Sequence, residues 1–485
     1  MIYPSLLYMN SPIPFKTDFC VYDDLKLTSL ISGDVIAAIE HPCCAEDIIY
    51  RQNMFKMLEN NTAYNCFKQL SDNMERLDAL HSAYTNARTD NEKHIIFAAL
   101  TDAFMSFMKN SVTEINPSCE IYERFKTYFT AELNKNHYKK IISELETLDE
   151  PIKLIRVNIF KIHGETIKIS KGTPVTFIDR IAECAGNLGL NNLNIRMSVN
   201  KQLASSITDT AAALYPEEMK LFKEFYEANR NYYIKDILRY KIEIAFYLEF
   251  IKVFGEIKVN GIPMFYPVIA GSRKISVTDA YDITLLTKNE KNIIPNDIDF
   301  NDNEPFFYLT GANGGGKTTY LRAVGITMMM FLNGCPAACR HAEIYPMYKV
   351  FTHFPRDERF ENTGRFDEEQ NRVNGVVSQS DHDSLVLLNE TYSTATEEDA
   401  VALTGKLADT IYRSDSYGIY ITHQHGISET EIPYLNVVVD RDDENRRTYK
   451  VAKRRNEHGS YAVDVLKKYS LTRETLSERF GGAAQ

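Results

Sequence analysis

No run of apolar residues in this 485-residue sequence is long enough to span a bilayer. The longest, Ala323–Leu332, is about half the ~20 residues that a membrane-crossing helix requires. The start, Met1-Ile-Tyr-Pro-Ser5, lacks the basic region and small-residue cleavage site of a secretory leader. Cysteines are few. The 8 present are unevenly spaced, which argues against a disulfide framework and leads to the expectation of reduced thiols in a cytoplasmic protein. No second cysteine pair follows Cys335, Cys339 and His341, so zinc is not expected there. Positive charge is not in excess either. With 55 Lys and Arg against 66 Asp and Glu, the net charge of −11 excludes a surface that is basic all over but allows a local basic patch. Internal repeats and low-complexity tracts are absent. What remains, 44% hydrophobic and 25% charged residues, is the composition of a folded chain. Its length suits about two to four domains, each able to bury a core.

One stretch carries clear chemistry. Phe306, Phe307, Tyr308 and Leu309 read as a short buried strand, followed by Gly311-x-x-x-x-Gly316-Lys317-Thr318 and an apolar helical run from Tyr320 to Leu332. Strand, glycine-rich loop and helix in this order are the context a phosphate-binding loop needs. Gly311, Ala312, Asn313, Gly314, Gly315 and Gly316 are expected to turn backbone N–H groups toward a polyphosphate, which the helix's positive end also attracts. Lys317 would neutralise the β- and γ-phosphate oxygens, and the Thr318 hydroxyl would ligate Mg²⁺, with Thr319 completing the loop. The expected ligand is therefore ATP with Mg²⁺.

Two further strands offer the other half of such a site. Ser384-Leu-Val-Leu-Leu-Asn389-Glu390 is apolar and ends in polar residues. In P-loop ATPases the corresponding end supplies an acid for the Mg²⁺ shell and a glutamate for the attacking water. Here Asn389 stands at the metal position, able to accept a hydrogen bond but without charge, and Glu390 keeps the role of base and metal neighbour. Gly418-Ile-Tyr-Ile-Thr422 is the third strand, and His423 at its end is placed to sense the γ-phosphate.

Elsewhere the sequence divides by period. Residues 1–45, with Pro4, Pro12, Pro14 and Pro42, read as an irregular lead-in. Residues 46–255 read as a mostly helical domain. Tyr64, Phe67, Leu70, Met74 and Leu77 recur at helical spacing, as do Tyr138, Ile141, Ile142, Leu145 and Leu148. Within it, Ile155, Val157 and Ile159 alternate with polar residues, then Ile167 and Ile169, then Leu193, Ile195, Met197 and Val199. These read as strands, the first two runs as a hairpin. Residues 152–201 hold eight Lys or Arg against three acids, +5 within a chain of −11. That is either a solvated β surface or a contact for a phosphate backbone. Helix returns near Ser205, and Gly255 is expected to cap it and mark the boundary of a second domain, 256–485.

Residues from about 290 to 480 resemble the ATPase domain of the MutS family of DNA mismatch-repair proteins. Thr310-Gly-Ala-Asn-Gly-Gly-Gly-Lys-Thr-Thr-Tyr-Leu-Arg322 is similar to the family's TGPNxGGKSTYxR, and Ile294-Pro-Asn-Asp-Ile298 to the segment before it. Ser384–Glu390 resembles SLVLxDE, and Thr422-His423 the THxxxL switch. Ser460-Tyr461-Ala462, Val465 and the polar stretch from Thr472 resemble the family's C-terminal helix-turn-helix. The resemblance implies an α/β P-loop (ABC-type) ATPase domain, preceded by a helical lever domain with a small β-rich clamp-like insertion at 152–201. It also implies a homodimer whose ATP sites are composite, and DNA held through its backbone by the clamp.

Departures from the family pattern are local. The position of the family's adenine-stacking aromatic falls on Ile293, so base stacking would become apolar packing. The stretch that meets a partner's nucleotide reads Gly364-Arg365-Phe366-x-x-Glu369, without its serine, and the GRGTS loop is Tyr392-Ser-Thr-Ala-Thr396. With Asn389 these changes imply slow hydrolysis, with Lys317, Glu390 and His423 as its catalytic residues. The family's mismatch-reading domain and connector are expected to be absent. Phe225-Tyr226-Glu227 matches that domain's Phe-x-Glu wedge only by chance, inside a helical stretch. The expected function is an ATP-dependent DNA-binding protein that reads backbone and shape. The alternative is a nucleotide-gated module for protein interaction, with little hydrolysis and no DNA binding. A transporter-type or chromosome-organising ATPase would carry an LSGGQ-like stretch, and none occurs.

Overall fold

Asp18 and Ser32 accept hydrogen bonds from the backbone N–H groups of Cys20 and Val35, and each opens a short helix: α1 (Phe19–Asp24) and α2 (Gly33–Ala38). The expectation of an irregular lead-in is corrected on this point. Leu7, Val21, Leu25, Val35 and Ile36 are all buried, so the segment is core and not a tail. The structure, a computed structural model, describes residues 4–155, 157–161, 167–171, 201–231, 235–288, 290, 292–355, 365–392, 396–423, 431–439 and 447–453. They fall into two units, one drawn from Met1–Leu6 and Met57–Ala245, the other from Leu7–Lys56 and Phe246–Gln485. From Leu7 onward the lead-in thus joins the C-terminal half, together with most of α3 (Ala45–Leu58).

The first unit is helical. It contains α4 (Asn61–Thr85), α5 (Asp90–Asn110), α6 (Glu120–Leu133) and α7 (Asn136–Leu154), followed after the hairpin by α8 (Lys201–Leu214) and α9 (Pro216–Asn229). Phe67, Leu70, Met74, Leu77, Tyr138, Ile141 and Leu148 are buried, as the helical period requires. The hairpin pairs β1 (Val157–Lys161) with β2 (Ile167–Lys171) antiparallel, Ile159 opposite Ile169. The strand expected over Leu193–Val199 lies outside the described residues, as does most of the basic stretch. Phe225 and Tyr226 pack on Phe97, with ring centroids 6.0 and 5.1 Å away, so this Phe-Tyr-Glu stretch belongs to the helical core.

The expected boundary at Gly255 falls inside α10 (Tyr240–Val259). The helix ends at Val259 and is capped by Gly261, whose φ of +70° only glycine adopts freely. There the Gly261 N–H donates to Lys258 and the Ile262 N–H to Ile257, the paired bonds of a Schellman cap. Gly255 therefore lacks the capping role its sequence position suggested.

The second unit is α/β. A small sheet orders β3 (Val268–Ile269), β7 (His341–Ile344), β4 (Lys274–Ala280) and β5 (Asn296–Asn301). The larger sheet has the order β12-β11-β6-β10-β9-β8, from β6 (Phe306–Thr310), β8 (Lys349–His353), β9 (Ser384–Asn389), β10 (Tyr417–Ile421), β11 (Tyr434–Val439) and β12 (Arg447–Lys453). All its pairs are parallel except β11 with β12. β6, β9 and β10 are buried along their whole length, the pattern of a parallel sheet covered on both faces. Val386 and Leu388 of β9 join Val373 and Val376 of α12 (Arg365–Gln379) and Leu407, Ala408 and Ile411 of α13 (Glu397–Arg413) in one core cluster. Leu387, pointing the other way, meets α11 (Lys317–Leu332), where a Cβ on Gly325 would come within 2.9 Å of its Cδ1. Among the described residues no helix is long and apolar enough to cross a membrane.

Candidate nucleotide-binding site

β6 delivers the chain at Thr310 into the glycine loop, and α11 starts from that loop at Lys317. Parallel pairing brings three more strand ends alongside. Ile421 of β10 stands opposite both Leu309 and Asn389, and Asn436 of β11 stands opposite Thr310. Ends of neighbouring parallel strands form the crevice in which α/β proteins receive ligands. The Thr310 hydroxyl donates to the Asn436 side chain and so ties two of these ends together.

The loop's backbone lies close against β11. Gly311 has φ +129°, and a Cβ there would sit 3.0 Å from Val437 Cβ. One on Gly315 would sit 2.9 Å from both the Ala312 carbonyl oxygen and Val437 Cγ1. Ala312 is buried, Asn313 and Gly314 are exposed, and Thr318 and Thr319 are half-buried. Gly316, at φ +93°, offers no side-chain cap to α11, which leaves the positive end of the helix open toward an anion.

Lys317 is 6% exposed, and its Nζ donates to the carbonyls of Gly311 at 2.9 Å and Ala312 at 3.3 Å. Burial pushes its ammonium pKa down to about 8; the Glu390 carboxylate opposes the fall and the Arg447 charge adds to it. Glu390 turns out of β9 with φ +50°, a left-handed conformation unusual for this residue type, while its N–H donates to Ile421 at 3.0 Å. Its carboxylate lies 2.8 Å from His423 Nε2. That hydrogen bond holds the carboxyl below its ordinary range against the effect of burial, and the charges of His423 and Lys317 act in the same sense. Asn389, 6% exposed, has an Oδ1 atom that is buried without a hydrogen-bond partner among the described residues. A buried carbonyl oxygen left unpaired is costly, and a hydrated cation would relieve it. The open helix end, the glycines with no room for a Cβ and this orphaned oxygen fit a nucleotide with its metal ion.

The expected residues of the loop and of the ends of β9 and β10 thus converge from three parts of the chain. Ile293 is half-buried, three residues before Asn296, whose amide donates to the Tyr449 carbonyl at 3.0 Å and accepts from the Val451 N–H at 2.8 Å. Glu369, from the stretch expected to meet a partner's nucleotide, accepts the Tyr392 N–H of its own chain at 2.9 Å. Gly364, Ser393-Thr-Ala395 and the helix-turn-helix expected from Ser460 lie outside the described residues. Sequence reasoning missed Asn436, Val437, Arg447 and Tyr449. Asn436 carried a signal, as the polar residue inside the apolar run Tyr434–Val439, but nothing in the local sequence indicated which strand it would join.

Residues 307–479 match the family model for MutS domain V. A DNA mismatch repair protein MutS from Streptococcus uberis is 28% identical over 192 residues, which is 38% of this chain and 23% of that protein. One from Caldanaerobacter subterraneus is 23% identical over 336 residues, 65% of this chain and 37% of the relative. One from Alkaliphilus metalliredigens is 22% identical over 474 residues, 94% of this chain and 50% of the relative. The chain therefore spans half or less of the length of each of these relatives.

Proposed function

The chain is a MutS-family protein, and from that premise we propose that it binds ATP with Mg²⁺ at the loop 311–318, hydrolyses it slowly and uses the bound nucleotide to control its hold on DNA. The observation that carries this reading is the pairing of Glu390 with His423 beside the buried Lys317, at the ends of adjacent parallel strands. A paired acid and base next to a loop lysine has a use in hydrolysis and little use in packing.

In this reading the residues divide the work. Gly311–Gly316 and Thr319 cradle the phosphates through the backbone, and Ile293 packs beside the base. Lys317 exchanges its two loop carbonyls for phosphate oxygens. Thr318, Asn389 and Glu390 hold the Mg²⁺ shell, and the ion when bound neutralises charge on the transferred phosphoryl group. Glu390, kept ionised by His423, orients a water and takes its proton. His423 keeps that carboxylate in place and registers whether a γ-phosphate is present.

The helical unit would act as levers, and the basic hairpin region would contact the DNA backbone. Lys161, Lys168 and Lys171 lie on its two described strands. A homodimer in which Arg365, at the start of α12, faces the neighbour's phosphates would couple closure of the sites to lever movement. The uncharged Asn389 and the net charge of −11 favour a second reading, a nucleotide-gated holder of a protein partner. Salt separates the two, because phosphate contacts make binding fall steeply with ionic strength. Fluorescence anisotropy of a labelled duplex across a salt series, with and without ATP, alongside phosphate release, is the test. Salt-steep binding that responds to ATP and disappears in Lys317→Ala supports the DNA reading. ATP binding without DNA association at low salt overturns it in favour of the second.

A further inference from the structure

A cationic residue stands in the strand pair that packs against the glycine loop. Arg447 opens β12 opposite Val439 at the carboxyl end of β11. The same two strands touch the glycine loop at other points, Val437 against Gly311 and Gly315, and Tyr449 against Gly316, where an added Cβ would lie 3.2 Å from Tyr449 Cδ1. The loop is therefore covered along one side by the β11–β12 pair, and Arg447 stands two residues before Tyr449 in the second of these strands. Arg447 Nη1 is buried and has no hydrogen-bond partner among the described residues. A buried guanidinium N–H left unpaired is costly, as is the burial of the Lys317 ammonium in the loop that this strand pair covers. An anion with several oxygens placed between them removes both penalties at once.

The metal side of the site points the same way. Asn389 brings no charge, so Glu390 is the single carboxylate among the three residues assigned to the Mg²⁺ shell. A site short of one negative charge attracts the cation less, and the nucleotide's own charge must be met by other means.

We propose that Arg447 is a second phosphate ligand supplied by the same chain, which shares with Lys317 the neutralisation of the polyphosphate and makes ATP binding by this protein only weakly dependent on Mg²⁺. The inference rests on the nucleotide site proposed above. The ligand class is a nucleoside triphosphate. The guanidinium holds two of its oxygens at once, as a planar donor fork can and an ammonium cannot.

The test is equilibrium dialysis of radiolabelled ATP against the full-length protein, in Mg²⁺ and in EDTA, for the unaltered chain and for Arg447→Gln, Arg447→Lys and Lys317→Ala. The unaltered chain is expected to lose less than about tenfold in affinity when Mg²⁺ is removed, a difference that dialysis resolves readily. Arg447→Gln is expected to weaken binding roughly tenfold or more in EDTA and less in Mg²⁺, with Arg447→Lys between it and the parent. Circular dichroism melting establishes that each variant is folded. Should Arg447→Gln disturb folding, the Arg447→Lys comparison in EDTA carries the test alone, because it keeps the charge and removes only the fork. Equal ATP affinity for parent and both arginine variants, in either condition, overturns the proposal. Loss of binding in Lys317→Ala alongside an unaffected Arg447→Gln would leave the nucleotide site standing and remove only Arg447 from it. Absence of ATP binding by the unaltered chain would overturn the site itself.

Discussion

His423 Nε2 lies 2.8 Å from Glu390 Oε1, although 33 residues separate the two in sequence. The contact exists because β9 and β10 are parallel neighbours with Asn389 opposite Ile421, so that the residues leaving the two strands emerge side by side. An imidazole in this position fixes the direction of the carboxylate and favours its ionised form.

Replacing the acid by its amide removes the base and keeps its shape. Glu390→Gln is expected to lower phosphate release by about 10²-fold or more, the usual worth of a positioned base, while ATP affinity stays within a few-fold of the parent. His423→Ala is expected to lower release less, because the carboxylate remains and only its orientation is lost. Single-turnover phosphate release together with equilibrium ATP binding measures both; equal rates for parent and Glu390→Gln would rule out this assignment.

Asn389 offers a gain-of-charge experiment. Asn389→Asp puts a carboxylate where a buried amide oxygen lacks a partner among the described residues. Without metal, a nearly buried unpaired charge is destabilising, so the variant is expected to melt at lower temperature in EDTA. With Mg²⁺ and ATP it is expected to recover, because a ligand that binds only the folded state stabilises it. The half-saturating Mg²⁺ concentration for phosphate release should fall by roughly tenfold, the equivalent of about 1.4 kcal/mol. A melting temperature indifferent to metal would count against a cation at this position.

Two glycines predict opposite outcomes for the same substitution. Gly315→Ala would place a methyl group 2.9 Å from the Ala312 carbonyl oxygen and from Val437 Cγ1, neither of which is free to withdraw. The loop must distort, and ATP binding is expected to be lost while most of the fold persists. Gly375, inside α12, has nothing within 4 Å of an added Cβ. Gly375→Ala is expected to stabilise the unit by about 0.5–1 kcal/mol, as glycine in a helix interior costs that much. Urea unfolding and ATP binding on both variants provide the comparison.

The lead-in is anchored by Asp24. Its buried carboxylate pairs with Arg372 of α12 and accepts the Thr352 hydroxyl of β8 at 2.7 Å. Asp24→Ala leaves the Arg372 guanidinium without that partner and is expected to cost about 3–5 kcal/mol. A double-mutant cycle with Arg372→Met should recover part of this, since removing both partners leaves no uncompensated charge. Denaturant midpoints that barely move would show that α1 is dispensable to the unit.

Much of the second unit was legible before any coordinates. The apolar runs 306–309, 384–388 and 418–421 are all buried strands, because a stretch apolar on both faces is stable only inside a sheet covered on both sides. The spacing from Gly311 to Thr318 located the loop, since few other residues tolerate φ near +93° or a backbone approach of 2.9 Å. Helical spacing likewise marked the buried stripes of α4 and α7. Gly255 misled because a glycine can end a helix only where the chain also turns, and here it turns at Gly261.

The sequence by itself determined the buried stripes of α4 and α7, the strands β6, β9 and β10, and which residue types gather at the phosphate loop, because periodicity and glycine spacing act within a few residues. The tertiary structure decided that Leu7–Lys56 belong with the sheet, that His423 faces Glu390, and that the strand carrying Arg447 packs against the glycine loop. Those outcomes depend on which strand pairs with which and in what register. Such pairings join residues far apart in the chain, through backbone hydrogen bonds that every sequence offers alike.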